Sequence, residues 1–413
     1  MEGRPSGVTH ASQASPGADR AAERFGWPLA NVCLFGWALA TAYTNHAPLI
    51  PVLMERLGFT PTEAGLLSSV FFLSMSAVAV PAGILSDRFG PKQIGSLGLA
   101  VVVLSNAGLG YVQDFPMLLL IKILGGVGSS MAFIAGVRYV TVVSAPSLVH
   151  RAQGLYGGCA QLGAGTSLYL MPLLYALLDL RGAFFASAGL VVIPLALWVL
   201  VAPDHRAPLP PARLSLAVRS GTVWLLTLAH AGTFGLSILV GTWITTFLVR
   251  DLVLPLAAAG GLGSAVLVLG ILSRPAGGIL IDRRWLLTKT MIRISLLVSG
   301  FGLGLLALPG RPLWAALIAI LVMGVTLSLP YSAVMNTASA AVPASPGAAV
   351  GIVGGLSLIL IATGAPALGA LYSRTESFSL SFGLLGAFCF LAFWLARLIR
   401  GEEELSPPDG AYE

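Results

Sequence analysis

Almost the whole chain is a succession of apolar runs about twenty residues long, separated by corners too short to fold by themselves. A helix rising about 1.5 Å per residue needs roughly 20 apolar residues to cross the hydrocarbon core of a bilayer. Twelve such runs can be placed, at 27–50, 63–85, 93–112, 116–141, 152–175, 182–201, 221–249, 258–281, 290–308, 313–337, 348–372 and 378–397. Lipid offers backbone N–H and C=O groups no partners, so runs of this length satisfy them only as helices. The pattern predicts an all-α membrane protein of twelve transmembrane helices. The seventh run exceeds one crossing and is expected to tilt or to emerge partly into water. Only 10% of the 413 residues are charged, against about 25% in soluble domains, which leaves little chain for a soluble catalytic domain.

The longest break, 202–220, carries Pro203, Pro208, Pro210 and Pro211 together with Arg206, Arg213 and Arg219. It reads as a semi-rigid basic linker between two six-helix bundles, 27–201 and 221–400. The polar stretch 1–26 reads as a disordered cytoplasmic tail without the apolar core of a cleaved signal, and 401–413 as a second, short tail. The net charge of +6 is spread singly over loops, unlike a nucleic-acid footprint, and is better read as topology. Fifteen basic residues fall on the side of both termini, and five (Arg56, Arg181, Arg250, Arg311, Arg374) on the other. That bias predicts a multi-pass protein of the cell (plasma or inner) membrane with both termini cytoplasmic. Trp27, Trp198, Trp224, Trp285, Trp314 and Trp394 lie near span ends, as an interfacial belt requires. Cys33, Cys159 and Cys389 sit inside apolar runs with no metal spacing and read as small core residues.

One corner is unlike the rest. Gly83-Ile84-Leu85-Ser86-Asp87-Arg88-Phe89-Gly90-Pro91-Lys92 joins the second and third runs, and 195 positions later Gly278, Asp282 and Arg283 repeat its first half. A repeat with this register in two parallel halves describes a transporter whose halves rock about a central site. The residues resemble the major facilitator superfamily. Its corner between the second and third spans is filled at every position by Gly83, Asp87, Arg88, Gly90 and Lys92. The second copy is partial, with Trp285 in place of the later glycine and Lys289 displaced. The resemblance covers roughly 27–400 and implies that these residues are a gating latch on the cytoplasmic side. Gly83 is expected to let a neighbouring helix approach closely. Asp87, at an unfavourable helix C-terminus, should seek a cationic partner or a helix N-terminus.

Ionisable residues at membrane depth are costly and point to function. Lys122 and Arg138 fall in the fourth run and Arg274 in the eighth. Lys122 precedes Gly125-Gly126, which resembles the family's fourth-span motif with lysine for arginine. Arg138 lies about 160° round the same helix and nearer the cytoplasmic end, which suits a gating or structural role. Arg274 precedes Gly277-Gly278, as in the superfamily's nitrate and other anion porters. The second-span arginine of the nitrate porters is absent from 63–85, which weighs against nitrate itself. The position equivalent to Arg274 in the first half is Ala79, so this arginine is no repeat-wide structural feature.

No carboxylate lies well inside any run. A cavity with cations and no anions carries a positive potential and favours an anionic solute such as a monocarboxylate or small organic acid. Proton coupling would fall to His46, His230, Lys122 or the solute itself. Asn45, Gln161, Thr245, Tyr331 and Asn336 are polar and located on spans that line the cavity in the family. The fifth run has glycines at 154, 157, 158, 163 and 165 but lacks the Gly-Pro pair of antiporters, which lowers the alternative reading, a proton-coupled exporter of drugs or hydrophobic metabolites. The reading is a secondary active or facilitative transporter of a small, anionic solute by alternating access. No acid pair, Ser/His pair or metal-ligand cluster suggests an enzyme, and no cofactor is implied. The expected partners are a small-molecule solute, protons as a candidate coupling ion and the lipid bilayer. Nucleic acid is not among them, and a monomer suffices.

Overall fold

A computed structural model describes residues 26–144, 149–204, 214–401 and 404. Nearly all of the predicted tails and residues 205–213 of the linker lie outside the described residues. The side chains of Asp87 and Asp282, on which the latch expectation falls, do too.

The apolar runs are helices throughout. Ten helical stretches among the described residues are long and apolar enough to cross a membrane. One of them, Arg151–Val201, is 51 residues long and folds back on itself, giving two crossings. The first run makes the twelfth: it is interrupted, with helices Trp27–Thr44 and Ile50–Leu57 flanking a tight turn at Ala47–Leu49. Local chemistry sets the ends. Thr60 and Glu63 cap the second span (Pro61–Phe89) reciprocally, each side chain bonding the other's backbone N–H. Asp114 accepts from the Met117 N–H to open the fourth (Phe115–Val143). Gly90, between the second span and the third (Pro91–Leu109), adopts φ +94, a conformation that a side chain strongly disfavours. The fifth and sixth spans meet at Asp179, where φ 64 reverses the chain and the carboxylate accepts from the Gly182 N–H.

Five spans are broken near mid-membrane. Besides the first, the seventh passes through a widened turn at Ala231–Gly235 between Gly221–His230 and Leu236–Arg250. The eighth is Leu256–Val268 and Gly270–Asp282, the tenth Leu313–Thr326 and Tyr331–Ala341, the eleventh Pro346–Leu356 and Leu358–Thr375. Such breaks free backbone groups, which is tolerated at depth only inside protein or beside a cavity. The unbroken ninth and twelfth spans, Thr288–Ala307 and Ser379–Leu395, pack on each other.

The two sets of six spans meet unevenly. The Gly83–Lys92 corner marks one face of the molecule, here the corner face; the loops at Gly58, Val253 and Glu376 mark the opposite, far face. On the far side the second span crosses the eleventh so closely that a β-carbon at Gly65 would strike the backbone of Ala365 and Pro366, and one at Gly369 that of Pro61. Ser69 donates to the Ala362 carbonyl there. The fifth span meets the eighth in the same manner, Gly260 on Leu168 and Gly165 on Val268. One buried apolar cluster takes in most of the first six spans and the far-side portions of the last six; the corner-side portions of the last six bury a second, and Ala82, Ile94, Met131 and Ala135 of the second to fourth spans a small third. Gly154 meets no neighbour, and Gly83 and Gly278 touch only Ile134 and Ser332 of their own set, at ordinary contact distance. The close approach expected at Gly83 is therefore not made here. Among the described residues the tightest contacts between the two sets lie on the far side, and Gly83, Gly154 and Gly278 touch nothing of the opposite set.

Trp198 corrects the interfacial-belt reading. It is fully buried, donates to the Lys92 carbonyl at 3.1 Å and packs on Phe35 and Tyr139, tying the sixth span to the corner. Trp27, Trp224, Trp285, Trp314 and Trp394 are exposed, as a belt requires.

Candidate functional site

Two cations are sealed inside the molecule, one in each set of spans: Lys122 is 1% exposed and Arg274 is 3% exposed. Lys122 therefore does not extend outward to an interface. Its ammonium donates to the Ala42 carbonyl at 2.8 Å and to Asn45 Oδ1 at 3.2 Å, and lies 4.4 Å from the centre of the Phe71 ring. The carbonyl is available because the first span stops at Thr44, which leaves the last turn's acceptors free. Asn45 in turn donates to Asn106 Oδ1, and Asn106 to Ser187. A polar thread thus runs from the first span through the third to the sixth, with the lysine at its head.

Arg274 donates from Nη1 to the Gly157 carbonyl at 2.6 Å, and its guanidinium lies 4.1 Å from the Tyr331 ring centre and 5.6 Å from that of Phe234. A β-carbon at 157 would run into that nitrogen and the Tyr331 ring, so the span-five glycine holds the cation in place rather than merely easing helix packing. Arg274 Nε is buried without a partner. His230 stacks on Phe234 at 5.3 Å, faces Tyr331 at 6.0 Å and leaves its Nδ1 unpartnered.

Aromatic side chains lie between the two cations. Phe71, beneath Lys122, meets Tyr43 edge-on at 5.7 Å, and Tyr43 is within electrostatic reach of both Tyr331 and Arg274. The Tyr43 hydroxyl is buried and unpartnered. Among the described residues neither Lys122 nor Arg274 has a carboxylate partner. The arrangement offers two uncompensated charges, several unused hydrogen-bond donors and flat apolar walls.

The other predicted positions divide. His46 Nε2 is 3.3 Å from Ser68 Oγ, which is 3.2 Å from Thr242 Oγ1 on the seventh span, so this histidine is tied across the two sets. Gln161 donates to Ser328 at 2.8 Å and Ser237 at 3.4 Å, also across the sets, with its Oε1 unpartnered. Thr245 is buried with an unpartnered hydroxyl further toward the far side. Asn336 is half-buried on the corner-side segment of the tenth span, and Arg138 is half-buried on the corner side of the fourth. Arg88 and Arg283 are exposed and lie over the aromatic rings of Phe89 and Trp285.

Sequence reasoning missed Tyr43, Phe71, Phe234, Asn106, Ser68 and Thr242. The aromatics look like ordinary core, and only Asn106, alone among apolar residues of the third run, carried a visible signal. It also missed a buried ion pair on the far side. Arg311 Nη2 meets Asp251 Oδ2 at 2.9 Å and also binds Ser379 and the Leu308 carbonyl. Burial pushes the Asp251 carboxyl up and the Arg311 guanidinium down, each only partly offset by the other. Neither residue can be told from a loop charge by sequence.

These features define a class: a helical multi-pass membrane protein with broken spans and one buried, carboxylate-free cation in each set of six. A family model described as Major Facilitator Superfamily matches residues 32–354, and the chain belongs to that superfamily. It is 24% identical over 309 residues to nitrate transporter 2.2 of Chlamydomonas reinhardtii, covering 65% of this chain and 59% of that protein. To nitrate transporter 2.1 of the same alga it is 22% identical, over 61% of this chain and 50% of that protein. To the probable L-galactonate transporter of Escherichia coli (strain K12) it is 24% identical, over 80% of each. The chain thus spans little more than half the length of the two algal relatives.

Proposed function

We propose that this chain is a secondary transporter that carries a small anion, of organic-acid type, across the cell membrane by alternating access. The observation that supports it most directly is the pair Lys122 and Arg274, both sealed from water and neither with a carboxylate partner among the described residues. A lone buried ion is costly by several kcal/mol even after relaxation. An anion arriving between these two cations would replace that missing charge, and its flat carboxylate would lie against Tyr43, Phe71 and Tyr331. The relatives agree in charge, since nitrate and L-galactonate are both anions. The missing second-span arginine and the broad galactonate match favour a carboxylate over nitrate.

With both termini cytoplasmic, the corner face is cytoplasmic, and the conformation is closed to the outside and open to the inside. The two bundles, 27–201 and 221–400, would then rock about the path, and Gly83 and Gly278 would find close neighbours only when the inside shuts. His46, tied through Ser68 to Thr242, is placed to pass a change of protonation to the contact between bundles, and the transport unit is a monomer. The test is uptake of labelled galactonate and nitrate into proteoliposomes. Arg274→Ala should abolish uptake that Arg56→Ala leaves intact; unchanged uptake in Arg274→Ala would sink the reading.

A further inference from the structure

Outside the closed contact lies a cavity of about 180 Å³ that neither Lys122, Arg274 nor the residues packed on them line. Its walls come from both sets of spans: Met54 and Pro61 from the first and second, and Trp243, Thr246, Arg250 and Tyr372 from the seventh and eleventh. The volume would hold a small organic acid and is too small for a peptide or lipid headgroup. Arg250 is its single cation and is exposed at the rim. The neighbouring Asp251 is engaged by Arg311, Ser377 and the Phe378 N–H, so it does not take Arg250 as its partner. Thr246 is 2% exposed, and its hydroxyl, on the cavity wall, has no hydrogen-bond partner. The Trp243 Nε1 donates instead to the Ala365 carbonyl, which leaves the indole face as wall. A buried hydroxyl without a partner costs about 1–3 kcal/mol, so a group placed opposite it is stabilising.

We propose that this cavity is a separate anion-holding site on the far side, in which Arg250 and the Thr246 hydroxyl bind a carboxylate or other small oxyanion between the Trp243 and Tyr372 rings. Its ligand class rests on the transporter reading; its residues do not. The site exists while the central path is shut from this side, so it concentrates anions at the mouth before or after passage. Glu376, exposed at the end of the eleventh span four residues beyond the cavity-lining Tyr372, is the nearest opposing charge along that span.

The test places one reporter thiol in the full chain, with Cys33, Cys159 and Cys389 replaced and the protein in nanodiscs. Thr246→Cys is the first reporter and Met54→Cys, on the opposite wall, the second should the first not fold. Rates of reaction are compared for a sulfonatoethyl and an aminoethyl methanethiosulfonate. Arg250→Gln should lower the anionic-to-cationic rate ratio about 25-fold, since one unit charge at about 4 Å in water-like surroundings changes each rate about fivefold and in opposite directions. Glu376→Gln should raise it. Sodium galactonate should slow labelling, and should still do so in Arg274→Ala, which separates this site from the central one. A ratio indifferent to Arg250, thiols that do not react in either position, or protection that vanishes in Arg274→Ala would each overturn the proposal.

Discussion

Replacing Lys122 by methionine asks whether this cation is there for the fold or for the solute. The substitution keeps length and flexibility and removes the charge. What is lost can be read from its contacts: charge-assisted bonds to the Ala42 carbonyl and Asn45, worth about 1.5–3 kcal/mol each. To these is added a desolvated cation–π contact with Phe71, worth about 2 kcal/mol. What is gained is relief from holding an ammonium out of water, several kcal/mol per ion, and exchanges of buried ions for apolar side chains of similar size are often neutral or stabilising by about 1–4 kcal/mol. The terms nearly cancel: the Ala42 carbonyl and Asn45 Oδ1 both lose their donor, while Asn45 keeps the bond that its Nδ2 donates to Asn106. The expected outcome is a folded variant whose stability lies within about 2 kcal/mol of the parent. Galactonate uptake should fall to background, and Lys122→Arg should restore part of it. Thermal unfolding in detergent gives the first quantity and proteoliposome flux the second. A variant that fails to fold while Lys122→Arg is stable would assign the lysine to architecture. A stable variant that transports at the parental rate would refute the charge argument outright.

Leucine at Gly83 or Gly278 should leave thermal stability unchanged, since both positions have room here, yet stop transport by preventing closure of the corner face; normal flux would remove these glycines from the gate. Alanine at Gly65 should be destabilising by about 1–3 kcal/mol as an overpacked contact, and cysteines introduced on the far side should become easier to label. Asp251→Asn leaves Arg311 buried without its counter-ion and should cost about 3–5 kcal/mol, whereas exchanging both residues for apolar ones should cost far less; equal losses would show the pair is not the determinant. Burial raises the Asp251 carboxyl above its unfolded value of about 3.9, so folding takes up a proton there and this group's contribution falls as pH rises through the window above that value. Unfolding scans across that window should be flatter in Asp251→Asn than in the parent.

The helices and their count were legible because the bilayer sets one length scale and every run matches it. Arg274 and Lys122 were legible because a charge in an apolar run has few innocent explanations. The positions where the spans break were not, since Asn45, Leu269 and Ser357 carry no local signal that distinguishes them from helix interior. Glycine was read for packing alone, and Gly157 shows why that was incomplete: its carbonyl and its missing side chain together seat a guanidinium from another span. Trp198 stood at a run's end like its five exposed counterparts, and only the packing of Phe35 and Tyr139 around it reveals a buried post. Asp251 and Arg311, 60 residues apart in the chain, needed the fold to meet.

The reversal at Asp179 bears on how the chain is made. Spans five and six form one helical stretch, Val149–Val201, turned back at a single residue with φ 64. There is no loop for the translocation machinery to hold while it decides the orientation of each span separately. Insertion as a preformed hairpin, its polar tip of Asp179 and Arg181 crossing once, is the expected route for such a pair. Lengthening that tip would disturb biogenesis before it disturbed transport, so yield in the membrane, more than activity per molecule, would report on it.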